Sequence, residues 1–335
     1  MRSTSQAPRM RLGHIPALAA GFCLLATAAL ADFDRRDIEF DADGTTLRGW
    51  FYTPANASGP VPTIVMSHGW SAVKEMWLDK YAEEFANAGM AALVYDNRNL
   101  GASGGEPRQE LDPFAQVRDY RHAITYAGTL PEVDKSRIGI WGSSYSGAHV
   151  LVVAAIDRRV KAVVSQVPAT KLFDAFQRNV REDVWPGLMG ALDADREAQY
   201  RGEPPAMIPV VSEDPNGYAA LPQAESYEWF TETAKLRAPS WKNETTLASL
   251  DMALEYEPWA YVRRISPTPL LMIVSERDTL IPTDHALETF ELALEPKEII
   301  IAPGHHFSAY VDGFELTGGA ARDWFVKYLR PKVSG

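Results

Sequence analysis

The chain has 335 residues, of which 46% are hydrophobic and 23% charged, and its formal net charge is −11. This composition is ordinary for a globular enzyme, and the length suits one large α/β domain that carries an insertion. Nucleic-acid-binding proteins usually present clustered Lys and Arg, so a nucleic-acid partner is not expected for this acidic chain. These properties make no prediction of oligomeric state.

The first 31 residues differ in character from the rest. Three arginines precede an apolar run from Ile15 to Leu30, and Ala29 and Ala31 place small residues at the −3 and −1 positions of a cleavage site. This layout is typical of a secretory signal peptide, and the run is short for a transmembrane helix. We therefore expect a periplasmic or secreted enzyme with no stable membrane insertion after signal cleavage. A misplaced start codon, which would leave the protein cytoplasmic, and a retained membrane anchor are the alternatives.

Removal of residues 1–31 would take away three arginines and no acidic residue, so the net charge of −11 would become −14. It would also remove Cys23, the only cysteine of the chain. The mature enzyme would then have neither a disulfide nor a thiol nucleophile.

Short strand-like runs alternate with longer segments of helical periodicity. This alternation predicts an α/β fold with a mostly parallel central sheet flanked by helices. The predicted strands cover residues 36–40, 47–52, 63–66, 91–95, 137–141, 160–164, 270–274 and 298–301, and the first two form a hairpin around Asp43-Gly44. The main predicted helices cover residues 77–88, 113–127, 148–156 and 319–329.

Residues 169–262 interrupt this alternation. The segment is rich in Glu, Asp, Ala, Pro and Trp and contains no convincing strand, which predicts several helices joined by Pro-bearing loops. We interpret it as a helical cap inserted between core strands, so that residues 32–168 and 263–335 form the core. Open α/β sheets bind ligands at the carboxyl edge of their strands, so the cap is expected to form part of a substrate pocket.

The segment from Gly142 to Gly147 carries the strongest chemical signal. It follows a buried strand and opens a helix, which is the context of a nucleophile elbow that exposes one serine. Gly142 precedes Ser144 by two residues, and Ser146 stands where G-x-S-x-G has its last glycine. We predict Ser144 as the nucleophile and interpret Ser143 and Ser146 as small packing residues of the turn.

A serine hydroxyl needs a base to accept its proton. His305 and His306 lie in a loop directly after the last predicted strand, where an α/β-hydrolase in the order Ser…Asp…His places its base. We prefer His306 and keep His305 as the alternative. The acid is expected after the penultimate strand, where Asp278 is preferred over its neighbours Glu276 and Asp284.

Charge on a tetrahedral intermediate requires donors that are already in place. The backbone N–H groups of Trp70, after an early strand, and Tyr145, after the nucleophile, are the expected oxyanion hole. His68 in the same loop is interpreted as structural. The glycine-rich run 96–106 lacks the spacing of a nucleotide loop, so we interpret it as a turn packed under the site. No metal-binding spacing is present, and neither a metal nor a cofactor is expected.

Three runs carry a family resemblance: SHGWSAVKEMWLDKYAEEFANAGMAALVYDNRNLGASGGEPRQELDPFAQVRDY, IGIWGSSYSGAHVL and APGHHFSAY. They resemble the dienelactone-hydrolase-like and X-Pro-peptidase-like α/β-hydrolases, especially the branch with the fungal polyketide transferases of fumagillin-type pathways. The resemblance implies a triad of Ser144, Asp278 and His306. It favours His306 because the family loop reads Gly-Gly-His-Phe, with His305 in place of the second glycine.

The leading functional prediction is hydrolysis of a small-molecule carboxylic ester or related acyl bond through an acyl-enzyme. The alternative is an acyltransferase or thioesterase acting on polyketide-type acyl thioesters, which an exported enzyme would rarely meet. A peptidase is less favoured because no large C-terminal β-domain is present, and a non-catalytic binding protein is the remaining reading. Some cap aromatics are expected to line an acyl pocket and the others to pack the cap against the core: Phe173, Phe176, Trp185, Tyr227, Trp229, Trp241 and Trp259.

Overall fold

A computed structural model describes residues 33–214 and 217–330. These residues fall within one compact unit. The predicted signal peptide, residues 1–31, lies outside the described residues. Along the two described ranges, no helix is both long enough and apolar enough to cross a membrane.

The core of the fold is an eight-stranded sheet. Its strands are β1 (Phe33–Ala42), β2 (Thr45–Pro54), β3 (Val61–Ser67), β4 (Ala91–Tyr95), β5 (Val133–Ser143), β6 (Val160–Gln166), β9 (Leu270–Ser275) and β10 (Lys297–Ala302), in the spatial order β1-β2-β4-β3-β5-β6-β9-β10. The pairs β1–β2 and β2–β4 are antiparallel, and the other neighbours are parallel. The predicted fold class and its edge hairpin are confirmed.

Helices cover the sheet because its central strands are apolar on both faces. Every residue of β4 and β9 is buried, so neither face of these strands meets water. The flanking helices are α1 (Leu78–Asn87), α2 (Pro113–Ala127), α3 (Tyr145–Ile156), α8 (Thr283–Leu292) and α9 (Phe314–Leu329). The helix α1 packs against α9, and α2 packs against α3.

Local sequence explains where these helices begin and end. The Asp112 side chain caps α2 by accepting a hydrogen bond from the Ala115 N–H at 2.9 Å, and Pro113 occupies the first turn. The helix α3 begins at Tyr145, three residues earlier than predicted, with Ser144 as its N-cap. The helix α9 begins at Phe314 rather than at residue 319, and Gly318 lies against the Phe314 ring.

The strand register brings five loop segments to one edge of the sheet. Ser67 at the end of β3 pairs with Gly142 of β5, Ser143 pairs with Gln166 of β6, and Ser275 of β9 pairs with Ala302 of β10. The carboxyl ends of these parallel strands therefore lie at one edge of the sheet, where β9 extends beyond the end of β6. Loops that follow them meet at this edge, where open α/β sheets bind ligands.

The segment between β6 and β9, where a cap is expected, is mostly helical. The helices there are α4 (Leu172–Asn179), α5 (Trp185–Tyr200), α6 (Ala224–Arg237) and α7 (Leu247–Leu254), followed by a 3₁₀ turn at Pro258–Arg264. The expectation of a segment without strands is wrong in one detail. Two short strands, β7 (Met207–Ile208) and β8 (Thr245–Thr246), pair antiparallel because residues from both sides of α6 return to the same place.

Candidate active site

Ser144 sits at a sharp bend between β5 and α3. Its backbone has φ 59° and ψ −119°, a region that residues with a side chain rarely occupy. Such strained backbone persists only where the surroundings enforce it and is concentrated at functional sites. The bend is held by the Ser144 N–H, which donates to the Gln166 carbonyl at 2.9 Å, and by the Ser144 carbonyl, which accepts from the Ala148 N–H at 3.1 Å.

Small residues around this bend allow backbone segments to approach closely. A Cβ on Gly142 would lie 2.2 Å from the Ser146 carbonyl oxygen, and one on Gly147 would lie 2.6 Å from the Gln166 carbonyl oxygen. Neither position tolerates a side chain. Ser146 is accommodated because its hydroxyl lies 2.7 Å from the Tyr120 hydroxyl, within the core.

The Ser144 hydroxyl meets a buried imidazole. His306 begins a 3₁₀ turn, His306–Tyr310, after β10, and its Nε2 lies 3.0 Å from the Ser144 Oγ. His306 is fully buried, whereas the His305 side chain is half exposed and points to Glu225, with Nδ1 2.8 Å from the Glu225 Oε2. The structure therefore brings His306, and not His305, to the serine.

Asp278 completes this array from the loop after β9. Its Oδ2 lies 2.6 Å from the His306 Nδ1, and its Oδ1 accepts hydrogen bonds from the backbone N–H groups of Leu280 at 3.1 Å and Ile281 at 2.8 Å. A carboxylate at Nδ1 fixes the tautomer in which Nε2 is free to accept the serine proton. The rival acids lie elsewhere: Glu276 is exposed, and Asp284 pairs with Arg178.

The two expected oxyanion residues flank Ser144. Gly69, which precedes Trp70, lies so close to the serine that a Cβ on it would be 2.8 Å from the Ser144 Cβ. The Trp70 and Tyr145 rings contact each other edge to face with centroids 4.9 Å apart. Tyr145 is the first residue of α3, so its N–H has no acceptor within the helix.

A hydrogen-bonded link joins the elbow to the histidine turn, and sequence reasoning missed it. The Ser143 hydroxyl donates to the Tyr310 hydroxyl at 2.6 Å and accepts from the Gln166 side-chain amide at 3.1 Å. Ser143 adjoins the nucleophile, and Tyr310 ends the turn that begins at His306. This link connects the elbow to the turn that carries His306, so Ser143 also forms side-chain hydrogen bonds in addition to packing in the turn.

Glu225 of the cap was also missed. Its two carboxylate oxygens contact His305, at 2.8 Å, and the Thr279 hydroxyl, which donates at 2.9 Å. These partners are the chain neighbours of His306 and Asp278. The first turn of α6 is thereby attached to both loops that carry the array. No local motif marked Glu225, because its partners are more than fifty residues away.

Other histidines near this edge have structural partners. The buried His68 accepts a hydrogen bond from the Asn97 N–H at 3.0 Å through Nε2, and burial lowers its pKa. His149 lies between the Tyr256 hydroxyl and the Gln116 amide oxygen, and burial lowers its pKa to about 3. Both imidazoles are neutral at pH 7, in line with the structural role expected for His68.

The glycine-rich run 96–106 wraps around a buried carboxylate. Asp96 accepts from the Lys74 backbone N–H and from its ammonium group, at 2.8 and 2.7 Å, and from the Ala102 N–H at 2.9 Å. The run therefore packs on an internal ion pair beside His68. Throughout residues 33–214 and 217–330, no cluster of three or more His, Cys, Asp or Glu side chains is arranged to hold a metal ion.

Two cavities open on Ser144. The cap pocket, about 220 Å³, is lined by Ser144 and Tyr145, and also by Phe176 of α4, Val184 just before α5 and Leu188 of α5. The aromatic pocket, about 20 Å³, also reaches Ser144 and is lined by His306, Trp229, Phe230, Phe307 and Tyr310. Trp70, Leu221 and Leu280 border both pockets.

The cap aromatics divide between pocket and packing. Of the seven singled out in the sequence, Phe176 lines the cap pocket and Trp229 lines the aromatic pocket. Trp241 instead stacks on Phe230, and its indole N–H donates to the Ser71 carbonyl at 2.8 Å. Trp259 is partly exposed at 38%.

The mostly parallel sheet presents a serine on a strained strand–helix bend, and the loops after its last two strands carry an aspartate and a histidine. These features define an enzyme of the α/β-hydrolase class. A family model extends this result to most of the chain. The chain belongs to the X-Pro dipeptidyl-peptidase (S15) family, which matches residues 43–308.

Individual relatives identify the branch. The chain is 37% identical over 274 residues to a thiohydrolase of Eupenicillium brefeldianum, covering 81% of this chain and 86% of the relative. It is 33% identical over 282 residues to a polyketide transferase of Aspergillus fumigatus, covering 84% and 93%. The crystal structure of the α/β-hydrolase GrgF from Penicillium sp. sh18 superposes with a TM-score of 0.76 at 30% identity, covering 88% and 99%. The resemblance to the branch with fungal polyketide transferases is confirmed.

Proposed function

We propose that this protein is a serine hydrolase that cleaves a carboxylic ester or a related acyl bond of a small molecule through an acyl-enzyme. One observation carries the proposal: an unbroken chain of hydrogen bonds from the Ser144 Oγ through His306 to Asp278, at 3.0 and 2.6 Å. Ser144, His306 and Asp278 act as nucleophile, base and orienting acid.

In the first half-reaction the Ser144 Oγ attacks the acyl carbonyl carbon, and its proton passes to the His306 Nε2. The negative charge that develops on the carbonyl oxygen is stabilised by the backbone N–H groups of Trp70 and Tyr145. The Asp278 carboxylate stabilises the imidazolium. The tetrahedral intermediate then expels the leaving group, which takes the proton from Nε2, and the acyl group remains bonded to Ser144.

In the second half-reaction water attacks the acyl-enzyme while the His306 Nε2 accepts its proton. Collapse of the second intermediate returns that proton to the Ser144 Oγ and releases the carboxylic acid. The same steps with an alcohol in place of water give acyl transfer, and a thioester differs only in its leaving group.

A second candidate is release or transfer of an acyl group from a thioester. It is favoured by the names of the relatives, one a thiohydrolase and one a polyketide transferase. The triad geometry suits both substrates. A comparison of kcat/KM for an oxygen ester and for the N-acetylcysteamine thioester of the same acid separates them.

The proposal is tested with a fluorophosphonate probe and p-nitrophenyl esters. We expect the wild-type protein to be labelled at Ser144 and Ser144→Ala to lose labelling together with about 10⁴-fold or more of its turnover, because triad members act as a unit. The matched control is Ser58→Ala, which alters an exposed serine and should leave both readouts unchanged. Near-normal hydrolysis by Ser144→Ala would refute the assignment. A correctly folded wild-type protein without labelling or turnover would instead indicate a non-catalytic binding protein.

A further inference from the structure

The two cavities beside Ser144 differ about tenfold in volume, and only one of them is lined by His306. The cap pocket contains Ser144, Trp70 and Tyr145, but not His306. The aromatic pocket contains Ser144, Trp70 and His306, but not Tyr145. Of these two cavities, only the aromatic pocket is lined by His306.

We infer that the cap pocket binds the acyl group and the aromatic pocket binds the leaving group, so that the substrates combine a bulky apolar acyl chain with a compact leaving group. This inference rests on the proposed function. In acyl transfer the leaving atom takes its proton from the His306 Nε2, which requires the two to be in contact. The leaving group must then occupy the pocket that His306 lines, and the cap pocket, which also reaches Ser144, is left for the acyl chain.

The walls of the cap pocket suit an apolar chain. They come from cap helices and present Phe176, Val184 and Leu188, with Leu250 from α7. Burial of apolar surface stabilises a bound chain by about 25 cal/mol per Å², so longer acyl groups gain affinity until the pocket is filled. A volume of about 220 Å³ leaves room for an acyl group well beyond acetyl.

The walls of the aromatic pocket resist expansion. Trp229 stacks on Phe307 with ring centroids 4.7 Å apart, and Phe230 stacks on Trp241 at 5.2 Å. Tyr310 is held by the Ser143 hydroxyl at 2.6 Å. Close-packed rings of this kind do not yield without loss of contact, so a volume of about 20 Å³ beside His306 favours a compact leaving group such as a small alcohol or thiol.

The test uses four esters that vary one side at a time: methyl acetate, methyl octanoate, benzyl acetate and benzyl octanoate. Wild-type kcat/KM should be at least tenfold higher for octanoyl than for acetyl esters and at least tenfold higher for methyl than for benzyl esters. One methylene in an apolar pocket already changes discrimination by about tenfold or more.

Two variants should move these preferences separately. Leu188→Trp fills the cap pocket and should lower the octanoate-to-acetate ratio about tenfold without changing the methyl-to-benzyl ratio. Trp229→Leu enlarges the aromatic pocket and should raise benzyl relative to methyl esters about tenfold without changing the acyl preference. Val184→Trp, at a position 41% exposed, replaces Leu188→Trp if that variant does not fold.

The outcomes separate this inference from the proposed function. Both variants should still be labelled by fluorophosphonate and remain active. If Leu188→Trp then changed the methyl-to-benzyl ratio and Trp229→Leu changed the octanoate-to-acetate ratio, only the assignment of the pockets would be overturned. Equal loss of activity on all four esters by a folded Leu188→Trp would also overturn it. Absence of labelling at Ser144 and of turnover in the wild-type protein would refute the proposed function itself.

Discussion

Gly69 is the position where a single methyl group should separate folding from catalysis. A Cβ built there lies 2.8 Å from the Ser144 Cβ, 3.1 Å from the Ser143 carbonyl oxygen and 3.3 Å from the Ser144 Oγ. Ordinary contacts of a Cβ begin near 3.4 Å, so Gly69→Ala must separate the two segments by at least about 0.6 Å. The atoms that would have to yield belong to the elbow, which is held by its backbone hydrogen bonds and cannot rotate away.

The expected loss follows from this displacement. The next residue, Trp70, supplies one proposed oxyanion donor, and removal of one such donor costs about 10²- to 10³-fold in kcat. A misplacement of about 1 Å also costs about 10²-fold. We therefore expect Gly69→Ala to lower kcat/KM about 10²-fold, which corresponds to about 2.7 kcal/mol of transition-state stabilisation. Overpacking of this size destabilises a fold by about 1–3 kcal/mol, so the variant should remain folded at 25 °C.

Steady-state kinetics with p-nitrophenyl esters, together with thermal unfolding, measure both effects. The control is Gly190→Ala on the exposed side of α5, where an added Cβ meets no atom within 4 Å. It should keep wild-type kinetics and a wild-type or slightly higher Tm, because Ala favours a helix over Gly. Gly69→Ala with kcat/KM within threefold of wild type would refute the argument that the Gly69–Ser144 contact positions an oxyanion donor.

Three further predictions concern the triad acid, the cap contact and a buried imidazole. Asp278→Asn should lose about 10⁴-fold in kcat while remaining folded, because the amide favours the wrong imidazole tautomer. Glu276→Gln should keep the wild-type kcat. The opposite pattern in a p-nitrophenyl ester assay would reassign the acid to Glu276. Glu225→Ala should lower kcat about tenfold with KM little changed, because it releases the loops beside the triad from α6. The control Glu228→Ala, at an exposed position on the same helix, should match wild type. A wild-type kcat for both variants would contradict a positioning role for Glu225. Burial lowers the pKa of His149 from 6.5 to about 3, so the unfolded chain gains a proton below pH 6.5 that the folded chain does not bind, and stability is lost as the pH falls. This group should contribute up to about 1.4 kcal/mol per pH unit to the decline, and urea unfolding between pH 6.5 and 4.5 should show a shallower decline for His149→Gln; equal slopes would contradict the prediction.

Much of the fold could be predicted from local sequence because the signals are local. Continuous apolar runs such as residues 91–95 mark strands buried on both faces, and Asp112-Pro113 marks a helix start within a few residues of chain. The order of the three reactive side chains could also be read, since each follows a recognisable strand. The preference for His306 over its neighbour His305 was strengthened by the family resemblance.

Local pattern did not reveal the contacts between distant parts of the chain. The Ser143–Tyr310 hydrogen bond spans 167 positions, and the His305–Glu225 ion pair joins the histidine loop to the cap. Neither partner carries a signature, because its role depends on where the other segment folds. The same holds for β7 and β8, two residues each, which exist only because the chain returns beside itself.

The amino-acid sequence by itself determined the candidate triad residues, because the small-residue bend after a buried strand and the two polar loops after later strands are short, contiguous segments. Tertiary structure alone decided how those residues are held and what they face. The carboxyl ends of the strands bring the loops together at one edge, two pockets reach Ser144, and packed aromatic rings line the smaller of them. The physical reason is that pocket shape depends on side chains from distant elements, whose packing no short window of sequence contains.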